Sequence, residues 1–408
     1  MMLVLSQTNK ENSMTHINFT LELEQVQELI KNSGANDLAK QMLTTLFNQL
    51  MEKQRDEYVQ VDDYVRDKER QSQRNGYYDR SYTTRIGTLE LTVPRTRDGQ
   101  FSPTLFERYQ RHEKALLTTM LEMYIQGVST RKVSQVVEAL CGKQISKSFV
   151  SSLTVQLDEA VNAFLEKKFE INYPFIFSDV LYIKVREHHR VLSKAFHLVV
   201  GVNALGEREI LGFSLDNSES YDSWKTLYNS LIKRGLKGVK MITSDAHKGE
   251  VQAIKECFGG VTWQRCQVHF MRNVFDKLPK KNTEAIRSEL KALFKLTSIE
   301  AARAYKNQLV DRYVDKYPNM ANVLDEGFED AFAYCSSGET NYNRLKSTNM
   351  LERLNQEIRR REKVVRIFPN DDSAMRLIGS ILLDIHDQWI SSNRQYIRFC
   401  QKTIRWIQ

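Results

Sequence analysis

The order of strand-like and helix-like segments between residues 174 and 268 constrains the fold more than any other feature of this sequence. Runs rich in β-branched and aromatic residues, joined by short turns, predict an antiparallel meander over 174–185, 191–203 and 208–216. The pattern then alternates, with helices predicted at 220–233 and 248–258 and strands at 239–243 and 261–268. Because helical crossovers connect parallel strands, we expect a mixed sheet.

The segments after this sheet are predicted to be helical. Apolar residues recur three and four positions apart, which predicts helices at 284–294, 299–313 and 321–332. A strongly charged helix over 347–368 and an amphipathic one over 374–389 follow. Three antiparallel strands, then two strands reached through helices, are the element order of a ribonuclease-H-like sheet. The predicted fold class is therefore α/β, a ribonuclease-H-like mixed-sheet core with an all-helical insertion, preceded by helical and helix-turn-helix regions.

The charge balance favours a polyanionic partner. The chain has 59 Lys and Arg against 51 Asp and Glu, a net charge of +8, which is typical of proteins that bind nucleic acid. Two short segments contribute +4 each, because 66–111 holds ten basic and six acidic residues and 353–366 holds six and two. The five cysteines are odd in number and scattered, which argues against a disulfide framework.

Nothing in the sequence predicts a membrane association. The opening MMLVLS is too short for the apolar region of a signal peptide, and no run of about 18 apolar residues occurs. We therefore expect a cytoplasmic, nucleoid-associated protein.

Two segments before the sheet combine basic side chains with local structure. A β-hairpin is predicted around Gly87, where interleaved arginines and tyrosines suit contacts to DNA, although a solvated hairpin explains the pattern equally well. Helices predicted at 114–124, 129–141 and 146–164 outline a helix-turn-helix, with trihelical packing as the alternative. The candidate DNA-binding residues, including those of the charged C-terminal helix, are Arg74, Tyr77, Arg80, Arg95, Arg97, Arg131, Lys132, Lys143, Lys147, Arg353, Arg360 and Arg361.

These patterns divide the chain into seven regions. They are an N-terminal helical region (14–60), a basic DNA-contacting region with the hairpin (61–112), a helix-turn-helix-like region (113–168), the first part of the catalytic domain (172–270), the helical insertion (271–346), the catalytic and closing helices (347–390) and a C-terminal tail (391–408). Ordinary packing or self-association helices explain the first region best, with DNA contacts as the alternative.

Three acids occupy positions that suit phosphodiester chemistry. Asp179 lies in the middle of an apolar strand, where an ionised carboxylate requires a cation or a metal. Asp245 ends a predicted strand, where sites in α/β proteins gather, and Glu352 shares a helix face with Arg359. Two divalent ions can supply the deprotonated nucleophile and stabilise the leaving group, and Mg²⁺ takes only one or two protein carboxylates per ion. We predict these three acids to be catalytic metal ligands.

Each acid also has an ordinary structural explanation when it is considered alone. An Asp at a strand end is often a helix cap, and a Glu among arginines is usually a surface ion pair. Glu357 competes for the place of the third acid, but it is offset from Glu352 by five residues and would face elsewhere. Only the joint placement of the acids, together with the sheet order and the basic segments, favours catalysis.

A resemblance to a known family appears at this point. The segment Asp-Ala-His-Lys-Gly over 245–249, followed by Gln-Arg-Cys-Gln-Val-His over 264–269, resembles the signature of Mutator-type transposases of bacterial insertion sequences. Glu250, Cys257 and Gly259 depart from that signature. The resemblance extends to five further segments, 74–78, 93–99, 127–132, 347–353 and 359–362, and so covers nearly the whole chain from Met14 onward. Residues 1–13 could therefore be an upstream extension read in frame.

The resemblance implies a DDE transposase. The three catalytic acids of the family fall on Asp179, Asp245 and Glu352, and its basic residue seven positions after the Glu falls on Arg359. It implies recognition of terminal inverted repeats, hydrolytic nicking that frees a 3′-OH, attack of that hydroxyl on another phosphodiester, and in many members a circular intermediate. It also implies two Mg²⁺ or Mn²⁺ ions, target DNA as a further partner, and a homodimer or higher multimer holding two element ends.

Cys266 and His269 have the spacing of zinc ligands, but no second pair accompanies them. A place beside the active site, with His269 touching DNA or orienting an acid, fits the signature, and a buried core pair is the alternative. His247, two residues after Asp245, can likewise reach a phosphate.

Two other functions compete with transposition. A structure-selective nuclease or resolvase of ribonuclease-H-like fold would use the same metal chemistry, and strand transfer of a pre-nicked repeat end distinguishes the two. A non-catalytic helix-turn-helix regulator would bind DNA but has no use for three acids at these positions.

Overall fold

The computed structural model describes residues 35–60, 71–104, 113–141, 144–337, 342–392 and 394–399. They belong to two compact units, one of Met1–Glu122 with Thr130–Val150 and one of Met123–Ser129 with Ser151–Gln408. Parts of the predicted N-terminal helices and Lys143 lie outside the described residues.

The first unit contains a helix packed against a β-hairpin. Helix α1 (Ala35–Val59) is followed by strands β1 (Arg74–Thr84) and β2 (Gly87–Thr96), which pair antiparallel through a tight turn. Gly87 closes that turn with a φ of +128°, a backbone conformation that favours glycine. A small core of alternating strand residues and one helix residue holds the unit together: Met51, Tyr82, Leu89, Leu91 and Val93.

The helices around the predicted helix-turn-helix are α2 (Lys114–Ile125), α3 (Thr130–Cys141), α4 (Lys147–Thr154) and α5 (Leu157–Glu166). The single helix predicted over 146–164 is therefore broken in two. Val155 and Gln156 each bond to the carbonyl three residues earlier, and the Thr154 hydroxyl bonds to the Ser151 carbonyl, which tightens the backbone and interrupts the α-helix.

A mixed five-stranded sheet forms the centre of the second unit, as predicted. Its strands are β3 (Phe175–Glu187), β4 (Arg190–Val202), β5 (Arg208–Asp216), β6 (Met241–Ser244) and β7 (Thr262–Arg265), arranged in the order β5-β4-β3-β6-β7. The first three pair antiparallel, and β6 and β7 pair parallel to β3 and to each other.

In the described residues of the second unit, nine α-helices and one 3₁₀ turn follow β5. They are α6 (Tyr221–Lys233), α7 (Lys248–Cys257), α8 (Gln267–Asp276), α9 (Glu284–Leu293), α10 (Ile299–Tyr313), α11 (Pro318–Ala331), a 3₁₀ turn (Ala333–Ser337), α12 (Tyr342–Leu345), α13 (Asn349–Val365) and α14 (Asp371–Ser391). No helix among the residues described combines the length and apolar character needed to cross a bilayer.

Strand β7 is shorter than the predicted strand over 261–268. Its ladder ends where the Cys266 amide bonds to the Ser244 carbonyl, and the next amide, that of Gln267, bonds to the Lys346 carbonyl instead. The Phe270 amide then bonds to the Cys266 carbonyl and starts α8. Gln267 and Val268, which were predicted to end the strand, thus belong to a helix.

Successive residues of β3 point to opposite faces of the sheet, which separates two cores. Phe175 and Phe177 join the large core that includes residues of α8, α13 and α14. Ile176 joins a smaller core with Trp224 and Tyr228 of α6. By this alternation Asp179 lies on the α13 side of the sheet and its neighbour Ser178 on the α6 side.

Candidate active site

Asp179 lies on β3, and Asp245 is the first residue after the neighbouring strand β6. The parallel ladder between β3 and β6 pairs Phe175 with Met241 and Phe177 with Thr243. The same register, continued by two residues, places Asp179 opposite Asp245. The two carboxylates are near enough that Asp245 contributes to raising the pKa of Asp179.

The Asp179 side chain is partly buried, and two donors hold its carboxylate. Its Oδ1 accepts from the Val180 amide at 3.0 Å, and its Oδ2 accepts from Nδ2 of Asn355 at 2.8 Å. Burial is the main cause that raises the pKa of Asp179 to about 6, and the charge of Asp245 adds to it. His269 and the two donors act in the opposite direction and lower this pKa. The fold therefore keeps an acid where its ionised form is poorly solvated.

Asp245 follows β6 directly and precedes α7. Its Oδ1 accepts from the Ala246 amide at 2.7 Å, which fixes the carboxylate at the strand end. His247, predicted to lie near the site, takes the N-cap position of α7, and its Nδ1 is 3.4 Å from Oε1 of Glu219. The His247 imidazole therefore contacts Glu219, which is not one of the three predicted catalytic acids.

Glu352 lies in the first turn of α13, across a cavity from Asp179. Its Oε1 accepts from Nη2 of Arg272 at 3.0 Å and lies 4.0 Å from Nε2 of His269. Arg272 is a functional candidate that the sequence reasoning missed. It lies three residues after His269 on α8, so helical periodicity from the signature histidine would have identified it.

Cys266 and His269 connect the strands to α13. The buried Cys266 sulfur accepts from the amide and the hydroxyl of Thr348, each at 3.4 Å, and Thr348 is the residue before α13. Burial opposes ionisation of Cys266, but its contacts with His269 and Thr348 lower the pKa of the thiol. The pair packs between the elements that carry all three acids.

His269 is the cation of this cluster. Burial alone would lower the pKa of His269, but the contact with Cys266 has a larger, opposite effect. Together with electrostatic attraction from Cys266, Asp245 and Asp179, that contact raises the pKa of His269 to about 9. Its Nδ1 has no hydrogen-bond partner of good geometry among the described residues. The imidazolium therefore faces the carboxylates as a neighbouring charge.

The cavity between β3 and α13 has a volume of about 570 Å³. Asp179, Glu352 and His269 line it, and further basic side chains surround them: Arg272, Arg359, Arg360 and Lys363. In the part of the chain that the structure describes, no three His, Cys, Asp or Glu side chains are gathered round one point as ligands of a single ion. The cavity thus combines partly buried acids with a basic wall.

The predicted basic residues of α13 have different surroundings. Arg359 lines the cavity and pairs with Oε2 of Glu362 at 2.7 Å, and Arg360 pairs with Oε1 of Glu357 at 3.0 Å. Arg361 is buried and donates to Oε1 of Gln126 at 2.9 Å. Its guanidinium ties α13 to the segment before α3.

The predicted DNA-binding residues of the first unit also differ in their contacts. Arg74 pairs with Asp56 at 2.9 Å, and the Tyr77 hydroxyl donates to Glu52, so both are bonded to acids of α1. Arg95 is exposed and stacks over the Tyr78 ring at 5.0 Å. Arg80 is half-buried, and the remaining four are exposed: Arg97, Arg131, Lys132 and Lys147.

Comparison with known proteins identifies the class. The profile described as "Transposase, Mutator family" matches residues 14–392, and the chain belongs to this family of transposases. Among individual relatives, it is 58% identical over 389 residues to the transposase of insertion sequence IS256 in transposon Tn4001 of Staphylococcus aureus, covering 95% of this chain and 100% of the relative. It is 41% identical over 358 residues to the transposase of ISRM5 of Rhizobium meliloti, covering 88% and 90%.

Solved structures show only a distant likeness. The simian T-cell lymphotropic virus intasome in complex with PP2A regulatory subunit B56 gamma matches with a TM-score of 0.19 and 10% identity, covering 52% of this chain and 65% of that one. The Mos1 strand transfer complex matches with a TM-score of 0.16 and 11% identity, covering 57% and 80%.

Proposed function

We propose that this transposase binds the terminal inverted repeats of its insertion sequence and catalyses Mg²⁺- or Mn²⁺-dependent strand cleavage and strand transfer. Asp179, Asp245 and Glu352 would be the acids of a DDE site on a ribonuclease-H-like sheet. The observation that carries the proposal is the register of β3 with β6, which when continued by two residues sets Asp179 opposite Asp245, together with the cavity that Asp179 and Glu352 both line.

The donor set fits divalent cations. Asp179 is a partly buried carboxyl near a second one, and burial is the main cause that raises its pKa to about 6. A nearby divalent charge would remove that penalty, because carboxylate oxygens are the ligands that Mg²⁺ prefers. Two bound ions would supply a deprotonated nucleophile and stabilisation of the leaving oxygen. Asp179 and Asp245 would hold them on the sheet side, and Glu352 on the helix side.

Other side chains of the cavity have roles in holding the acids and the DNA. Asn355 orients the Asp179 carboxylate through its hydrogen bond at 2.8 Å. Arg272 holds Glu352 through the ion pair at 3.0 Å. Arg359 and Lys363 on the cavity wall would contact the phosphates of the strand, since guanidinium and ammonium groups bind phosphate oxygens.

DNA binding outside the cavity is proposed for the exposed basic residues of the first unit. Arg95 and Arg97 on the hairpin, and Arg131, Lys132 and Lys147 in the helix-turn-helix-like region, present their side chains to solvent. Replacing one phosphate-contacting Arg by Gln would reduce the salt dependence of repeat binding by about one unit of slope.

The test uses Asp179→Asn, Asp245→Asn and Glu352→Gln with a repeat-end duplex. Each variant is expected to bind the repeat as the wild type does and to lose cleavage and strand transfer of a pre-nicked end. Cleavage without strand transfer by the wild type would favour a nuclease or resolvase. Undiminished cleavage by the three variants would contradict the DDE assignment, and repeat binding without any chemistry would favour a regulator.

The proposal also includes a dimer or higher multimer that holds two element ends. Light scattering of the protein bound to repeat DNA is expected to give two chains for two ends. A complex of one chain with one end, active in strand transfer, would contradict this part of the proposal.

A further inference from the structure

A second acid lies directly behind Asp179, on the opposite face of β3. Glu250 in the first turns of α7 is fully buried, as are Ser178 of β3 and Tyr228 of α6. Oε1 of Glu250 lies 2.5 Å from the Ser178 hydroxyl and 3.0 Å from the Tyr228 hydroxyl, which is itself 3.1 Å from the Ser178 oxygen. The three groups form one closed hydrogen-bonded cluster.

No cation compensates Glu250 among the described residues. Its charged neighbours are Glu219 and Asp179, which both disfavour a second negative charge. Burial is the largest cause that raises the pKa of Glu250 to about 8, so the carboxyl carries a proton at neutral pH. A neutral carboxyl can donate as well as accept, and it avoids the cost of burying an unpaired ion.

The cluster lies where the backbone ladder between the catalytic strands ends. The pairing of β3 with β6 stops at Phe177 and Thr243, two residues before each acid. Ser178 immediately precedes Asp179, and α7, which carries Glu250, begins three residues after Asp245. The hydrogen bond between Ser178 and Glu250 is therefore a link between the two acid-bearing segments just beyond the last ladder pair.

We propose that Glu250 is a positioning residue, which holds Asp179 and Asp245 at a fixed separation by hydrogen-bonding Ser178 and Tyr228 behind the sheet. The inference rests on the proposed function, because the fixed separation matters for binding divalent ions. Partners behind metal ligands typically change metal affinity by about 10- to 100-fold when they are removed, and the same range is expected here.

The variants are Glu250→Gln, Glu250→Leu and Ser178→Ala. Gln keeps the size of the side chain and an oxygen that accepts from Ser178, whereas Leu and Ala each remove the link. The matched control is Tyr173→Phe. It removes another hydrogen bond between a buried Tyr and a Glu, that of Tyr173 to Glu209 at 3.0 Å, and Tyr173 lies just before the opposite end of β3.

The readout is Mn²⁺ binding to the full chain without DNA, measured by calorimetry or by electron paramagnetic resonance, next to thermal unfolding without metal. Glu250→Leu and Ser178→Ala are expected to weaken Mn²⁺ binding by about tenfold or more. Glu250→Gln should remain near the wild type, and Tyr173→Phe should unfold more easily but bind Mn²⁺ normally. If Glu250→Leu does not fold, Ser178→Ala decides.

Wild-type Mn²⁺ affinity in Ser178→Ala or in folded Glu250→Leu would overturn the positioning role, as would an equal loss in Tyr173→Phe. The proposed function is tested in the same experiment with Asp179→Asn. Absence of Mn²⁺ binding by the wild type, or normal binding by Asp179→Asn, would contradict the metal site itself. If Asp179→Asn loses Mn²⁺ binding while the Ser178 and Glu250 variants bind Mn²⁺ normally, only the positioning role is contradicted.

Discussion

Replacing Asp179 by Asn should stabilise the metal-free protein while it abolishes catalysis. The carboxyl has a pKa of about 6 in the fold against 3.8 ordinarily, mainly because it is buried. A raised pKa means that the folded protein binds this proton more tightly than the unfolded chain does. The resulting stability is present below about pH 4 and is lost as the pH rises through about 6.

The expected size follows from the shift in pKa. About two units correspond to about 3 kcal/mol in favour of the neutral form at pH 8. Asn keeps the acceptor for the Val180 amide but loses the one for Asn355, which costs about 1 kcal/mol. The net gain of about 2 kcal/mol would raise the unfolding temperature by about 4–8 °C for a unit of this size.

The assay is thermal unfolding in chelator at pH 8 and at pH 4, with Asp276→Asn as the control. Asp276 is an exposed acid of α8, and its replacement removes the same charge with an effect within about 0.5 kcal/mol. The stabilisation by Asp179→Asn should be present at pH 8 and absent at pH 4. An equal gain at both pH values, or a loss at pH 8, would refute the argument from burial.

Three further substitutions test packing around the site. Gly327→Ala should lower stability by about 1–3 kcal/mol in denaturant unfolding, because a Cβ would lie 2.5 Å from the ring of the buried Phe270, which cannot move aside. Gly259→Ala, whose Cβ would have nothing within 4 Å, serves as its control, and equal effects would contradict the packing argument. Arg376→Gln should cost about 1–3 kcal/mol, because it breaks two hydrogen bonds of 2.7 Å to Asp158, and an unchanged denaturation midpoint would contradict that. Cys266→Ala should slow strand cleavage and lower stability by about 1–3 kcal/mol, because it leaves the buried amide and hydroxyl of Thr348 without their acceptor. Full activity of this variant would show that the contact has no role in placing α13.

The sheet could be predicted because its signals are local. β-Branched and aromatic runs marked β3, β4 and β5, and the alternation that followed implied parallel pairing for β6 and β7. The same reasoning placed Asp179 within the first strand and Asp245 at the end of a later strand of the same sheet. Their common register did not follow from the sequence, because a helical crossover fixes which strands pair but not which residues face each other.

The contacts that hold the site could not be predicted because they join distant parts of the chain. Ser178 meets Glu250 across 72 residues, and Arg272 meets Glu352 across 80. Ser178, Glu250 and Arg272 each look like an ordinary polar or surface residue in their own segments. Only helical spacing from His269 gave a local signal, and it pointed to Arg272.

The charges around the cavity explain how these acids can coexist in a folded chain. Asp179 and Asp245 face the imidazolium of His269, whose pKa is about 9, and Glu352 faces Arg272. Each carboxylate thus has a cationic neighbour that reduces the repulsion between the acids. The same pairing holds the Glu352 carboxylate at Arg272 of α8, so the divalent ions proposed for this site would have to compete with Arg272 for it. On the proposed function, metal affinity and the strength of that ion pair would be opposed, and a weaker partner at position 272 would favour the metal.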